Sequence, residues 1–148
     1  MYELPKVRIA MVKESTIISD CQITTKRDIQ RLIQEQLDYS DREIFGVINI
    51  DCRGVPLNWN TVSIGSLDSS IVSPREVFKT SILSNAYGII AFHCHPSGDV
   101  TPSASDTDVT KRLHEAGNLL QIMLVDHIII GCGTSEIYSF RESSDIWN

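Results

Sequence analysis

The chain has 148 residues, 42% of them hydrophobic and 22% charged, with a formal net charge of -6. That is the make-up of one ordinary globular domain with a real core. No apolar run approaches the roughly 20 residues of a membrane helix, and the first residues lack the basic-then-apolar layout of a secretory signal. These features predict a cytoplasmic protein without membrane association. The acidic balance argues against a broad phosphate-binding face.

In chain order, residues 1–24 read as an N-terminal arm. The short alternation Val7-Arg8-Ile9-Ala10-Met11-Val12 predicts a strand or an extended segment over residues 1–22. Thr24 or Thr25 caps a helix over 25–38, with Ile29, Leu32, Ile33 and Leu37 at helical spacing and Asp28 in the first turn. Residues 43–50 form a near-continuous apolar run of strand length. Asp51-Cys52-Arg53-Gly54 reads as a hairpin turn, and residues 55–64 as its return strand, bulged around Asn58-Trp59-Asn60.

Ser73-Pro74 opens a second helix, with Glu76 three residues past the cap and Val77, Phe78, Ile82 and Leu83 as its buried stripe. Residues 87–92 are a short apolar strand that runs directly into His93. A third helix is expected over roughly 102–116, ending near Gly117. Residues 119–125, 127–131 and 136–140 read as strands, with a turn at 131–135. The sum is a single α/β domain over 25–148, a mostly antiparallel (mixed) sheet flanked by helices.

Cys21, Cys52, Cys94 and Cys132 are too widely spaced for a CxxC knuckle, so they are read as reduced, packed thiols. His127 reads as a core histidine hydrogen-bonded to its surroundings, with a role beneath or beside a site as the alternative. His114 reads as exposed, and Trp59 and Trp147 as packing or interface residues. The exposed hairpin edge allows pairing with a second copy, a homodimer.

The densest chemistry lies at His93-Cys94-His95-Pro96-Ser97-Gly98 and Pro102-Ser103-Ala104-Ser105-Asp106. Alternate residues of a strand share a face, so His93 and His95 can point together while Cys94 points away. A Gly/Pro loop lets the chain double back to Asp106. Two histidines and an aspartate are a donor set that suits a catalytic zinc with an open position for water. The neutral alternative is that Ser103-x-x-Asp106 is only a capping box. HExxH is excluded, because His114-Glu115 is not followed by a histidine at the required position, and HxHxDH is excluded by Ser97.

The pattern HxHPSG followed by PSxxD resembles the JAMM motif of the JAB/MPN metallopeptidase fold, and more narrowly its RadC-type branch. Further segments resemble that branch: Ser63-Ile64-Gly65, Pro74-Arg75-Glu76-Val77-Phe78-Lys79, Thr110-Lys111-Arg112-Leu113 and Asp126-His127-Ile128-Ile129-Ile130-Gly131. The similarity covers roughly residues 25–141.

The resemblance implies one Zn2+ per chain on His93, His95 and Asp106, Glu43 as general acid/base, and Ser103 as oxyanion donor. Glu76 is the runner-up base. Cys94 stands where relatives commonly carry a small polar residue, and it is read as packed rather than as a thiolate ligand. The implied activity is zinc-dependent hydrolysis of a peptide or isopeptide bond in a peptide or protein substrate. The alternative from the same resemblance is a non-catalytic, partner- or DNA-associated domain linked to DNA repair. Charge does not support DNA, and residues 1–24 are too short for the helix-hairpin-helix region that RadC-type chains often carry.

Overall fold

The computed structural model describes residues 1–16, 22–65 and 72–148. Its elements are α1 (Lys26–Leu37), β1 (Ile44–Ile50), β2 (Pro56–Ile64), α2 (Pro74–Val77), α3 (Lys79–Leu83), β3 (Gly88–His95), α4 (Ala104–Leu120), β4 (Met123–Gly131), β5 (Ile137–Ser139) and α5 (Phe140–Ser143). The strands form one sheet in the order β2-β1-β3-β4-β5. Only β3 and β4 are parallel, and α4 makes the crossover between them. The mixed, mostly antiparallel α/β domain is therefore the one the pattern predicts.

Strand alternation divides the core in two. On one face Phe45, Val47, Ile89, Ala91 and Leu124 pack against Val77, Phe78, Val109 and Leu113 of the helices after the hairpin. On the other, Ile48, Ile50, Ile90, Phe92, Cys94, Ile128 and Ile130 pack against Ile29, Ile33 and Leu37 of α1. Thr25 starts α1 with a full capping box: its hydroxyl accepts from the Asp28 amide at 3.3 Å, and Asp28 accepts from the Thr25 amide at 2.9 Å. The β1–β2 turn closes as expected, with Asp51 accepting from the Arg53 and Val55 amides.

Several boundaries differ from the sequence pattern. Residues 1–16 are exposed and form neither helix nor strand; the rest of the expected extended segment, apart from Gln22, lies outside the described residues. The return strand is irregular on either side of Asn58-Trp59-Asn60, at Leu57 and Val62, because 58–60 pair in register with 49, 48 and 47.

The second helix breaks at Phe78, the C-cap of α2 and N-cap of α3. The break resets the helical phase, burying Ser81 and leaving Ile82 and Leu83 exposed. Ser73 makes no side-chain cap bond there, and Glu76 pairs with Lys79 at the surface.

Helix α4 does not end at Gly117 but runs to Leu120, with Gln121 as a left-handed C-cap at φ 58°. Gly117 is instead a point of close approach: a Cβ there would lie 2.5 Å from the Ile122 carbonyl as the chain turns back. Residues 119 and 120 thus belong to the helix, and the two strands expected over 119–131 are one, β4. The expected meander reduces to the β4–β5 hairpin.

Asp126 interrupts the apolar run of β4 but is accommodated by bonds from the His127 and Arg141 amides and the Ser139 hydroxyl. Phe140 opens α5 instead of ending a strand. His114 is half-buried, its ring 5.4 Å from Trp147, whose Nε1 donates to the Leu124 carbonyl. Among the described residues no helix is long and apolar enough to cross a membrane.

Candidate metal centre

His93 and His95 occupy the last turn of pleat in β3, on the sheet face covered by α4. Cys94 between them points into the opposite core, as period-two alternation requires. There its sulfur accepts from the Ile44 amide at 3.4 Å and its thiol lies 3.5 Å from the Arg42 carbonyl. His93 is fully buried and stacks on Phe45, its register partner in β1, at 6.2 Å. His95 is half-buried at the rim, and its Nδ1 donates to the Asp99 carbonyl at 2.6 Å.

The loop after β3 is held by Asp99, whose Oδ1 accepts from the Thr101 amide and hydroxyl. It returns the chain to α4, which opens with the Ser103–Asp106 capping box. Asp106 Oδ2 accepts from the Ser103 amide at 2.7 Å, and Ser103 Oγ accepts from the Asp106 amide at 3.1 Å. The two readings of Ser103-x-x-Asp106 are thus compatible: the carboxylate caps the helix and also faces the histidines. Its oxygens lie 3.3 Å from His93 Nε2 and 3.6 Å from His95 Nε2, and the two Nε2 atoms are 3.0 Å apart.

One donor atom from each of His93, His95 and Asp106 lies within 4.8 Å of the others, and among the described residues they are the one such group of three or more His, Cys, Asp or Glu side chains. Burial works against ionised Asp106, but the two histidines that face it and the bond from the Ser103 amide hold its carboxyl well below the usual range. The helix N-terminus favours the anion too. Burial pushes His93 below its ordinary value despite the pull of Asp106. The neighbouring Asp106 carboxylate pushes His95 up, against its partial burial.

The donor set fits a divalent cation. With the Nδ1 proton of His95 committed to a carbonyl, its Nε2 lone pair, the Nε2 of His93 and a carboxylate converge on one point. Three acceptors turned on each other are disfavoured unless a positive charge lies between them, and imidazole nitrogen with carboxylate oxygen is zinc-type chemistry.

Glu43 is half-buried just before β1, its carbonyl accepting from the Gly65 amide at 2.8 Å. Its charge acts on both His93 and His95. Glu76 is exposed and paired with Lys79. Ser103 is exposed at the mouth of the centre. Its oxygen accepts the Asp106 amide, so its one hydroxyl proton can be directed elsewhere.

Two contributors are not marked as site residues by the sequence pattern. Thr110 is fully buried one helical turn after Asp106, with Oγ1 2.6 Å from the Asp106 carbonyl and 2.6 Å from His127 Nδ1. Only its i+4 spacing from Asp106 hinted at the back-bond. Phe45 is the other, since a phenylalanine in a core strand reads as packing. His127 lies beneath the centre, its Nε2 2.8 Å from His93 Nδ1, so it is both a bonded core histidine and a neighbour of the site. Burial, with His93 alongside, lowers its pKa well below the ordinary value.

Compared with known protein families, residues 23–145 match the RadC-like JAB domain. The chain belongs to the RadC-like JAB family. A UPF0758 protein of Caldanaerobacter subterraneus subsp. tengcongensis is 47% identical over 119 residues, 80% of this chain and 51% of that protein. One of Desulfitobacterium hafniense is 47% identical over 109 residues, 74% of this chain and 48% of its own. One of Thermotoga maritima is 37% identical, covering 93% of this chain and 68% of its own. The chain spans about half the length of the first two relatives. The RadC-like match takes in every residue of the centre, from Glu43 to His127.

Proposed function

We propose that this RadC-like JAB domain is a zinc-dependent hydrolase of peptide or isopeptide bonds, with one Zn2+ per chain held by His93, His95 and Asp106. The observation that carries the reading is the convergence of those three donors at the end of β3 and the start of α4. Bound zinc supplies Lewis acidity, polarising a carbonyl and acidifying water.

The chain's own groups supply the rest. Glu43, whose charge already acts on both histidines, takes a proton from the attacking water as the C–O bond forms. It then delivers that proton to the leaving nitrogen as the C–N bond breaks. Ser103 donates its hydroxyl proton to the oxyanion of the tetrahedral intermediate. Asp106 stays ionised throughout, since its bonds favour the carboxylate. Phe45 and the core behind His93 keep bulk water from the inner side of the centre.

Elemental mass spectrometry of the purified protein beside His95→Ala, followed by a screen of peptide and isopeptide substrates beside Glu43→Ala, tests the reading. About one zinc in the parent and none in His95→Ala, with turnover abolished by Glu43→Ala, supports it. No zinc uptake even when zinc is offered removes it.

A further inference from the structure

We propose that His127 and Thr110 are positioning residues, a buried hydrogen-bond relay that fixes which ring nitrogen of His93 faces the centre. The proposal rests on the metal-centre reading for what that nitrogen does, though not for the relay itself.

The direction of the relay follows from which atoms can only accept. The Asp106 carbonyl has no proton to give, so Thr110 Oγ1, 2.6 Å away, donates its single proton there. Thr110 Oγ1 is then left to accept at its second contact, 2.6 Å from His127 Nδ1, which must carry the hydrogen. A neutral imidazole has one N–H, so His127 Nε2 is an acceptor. It lies 2.8 Å from His93 Nδ1, which therefore donates. The only N–H of His93 is thereby spent, and its Nε2 lone pair is presented to His95 Nε2 and Asp106 Oδ1 at 3.0 and 3.3 Å.

Burial makes this order robust. His93, Thr110 and His127 are each fully buried, so no bulk water competes for their protons. His127 is stacked on Phe140 at 5.0 Å and meets the edge of Phe45 at 5.4 Å. An imidazolium in that aromatic cage would be uncompensated. The relay also closes on itself: it ends at the carbonyl of Asp106, the residue whose carboxylate faces His93. His95 reaches the same orientation more simply, through the Asp99 carbonyl. Groups that fix the tautomer of a metal-binding histidine tune its metal affinity, typically by about 10–100-fold.

The test is nitrogen-resolved NMR of 15N-histidine-labelled, metal-free protein, combined with zinc affinity measured by competition with a chromophoric chelator. The parent is expected to show His93 and His127 each protonated on Nδ1 with a bare Nε2. Thr110→Val keeps the shape but removes the acceptor for His127. It is expected to abolish the single-tautomer signature and to weaken zinc binding about 10–100-fold. Thr110→Ser is expected to restore both, and His127→Gln, whose side-chain oxygen can accept from His93, to keep the His93 tautomer. A parent with the proton of His93 on Nε2, or a Thr110→Val protein with unchanged tautomers and affinity, would overturn the relay. Because the tautomers are read without metal, a parent that shows them but takes up no zinc refutes the metal reading and not the relay.

Discussion

The backbone carbonyl of Asp99 lies 2.6 Å from Nδ1 of His95. This contact orients the half-buried histidine of the centre, and it is itself held by the Asp99 side chain, which bonds Thr101 twice. Asp99→Ala should therefore loosen the loop and weaken zinc binding about tenfold. The fold should survive because the side chain is exposed. Asp99→Asn retains an acceptor oxygen and should bind zinc like the parent. Chelator competition on the three proteins, with melting curves as a control, decides it.

Metal removal should be visible as lost stability. A cation bound only by the folded chain at a hundred times its Kd adds about 2.7 kcal/mol, on the order of 5–10 °C in Tm for a domain of this size. A chelator should lower the Tm of the zinc-loaded parent by that order. It should not shift Asp106→Asn, which keeps an oxygen for the Ser103 amide but loses the charge. Scanning calorimetry with and without chelator measures the difference.

The histidine pair was legible because a strand's period of two is rigid: once residues 87–92 read as a strand, His93 and His95 had to share a face. Asp106 was legible because the cap spacing and the donor spacing coincide. Thr110 and Phe45 were not, since a threonine bonded back to its own helix and a phenylalanine in a strand look the same wherever they fall. The break at Phe78 was hidden because apolar spacing continues across it while the phase changes. The full extent of α4 is not legible because Gly117 looks like a C-cap, whereas its absent side chain makes room for the returning chain. Asp126 concealed the unity of β4, since only its distant partners Ser139 and Arg141 make it acceptable there.

Acid should act on α1. Hydrogen bonds from the Thr24 and Thr25 amides lower the Asp28 pKa from 3.8 to about 2. A carboxyl depressed in the folded state adds stability that is present above its unfolded value and lost as pH falls through the folded one. The gap in stability between the parent and Asp28→Asn should thus be constant above about pH 5 and shrink between the unfolded value and about 2. Thr25→Ala, which removes the cap hydroxyl, should cost about 0.5–2 kcal/mol. Urea titrations across that pH range check both.

Cys94 offers a sharper contrast. Its sulfur bonds the Ile44 amide on the face opposite the histidines. Cys94→Ala should leave zinc stoichiometry unchanged while lowering stability by about 1–2 kcal/mol, from a small cavity and an unpaired amide. A loss of bound zinc on that substitution would mean that the thiolate is a ligand.

The crossover from β3 through α4 to β4 carries His93, His95, Ser103, Asp106, Thr110 and His127. Glu43, Phe45 and Phe140 come from outside it. The centre is in effect a property of one strand–helix–strand module with its spacing fixed internally. Changes in the length of the arm or of the turn between β1 and β2 would therefore leave the donor set as it is, whereas a single residue inserted between His93 and His95 in β3 would turn one of the two histidines to the opposite face of the sheet.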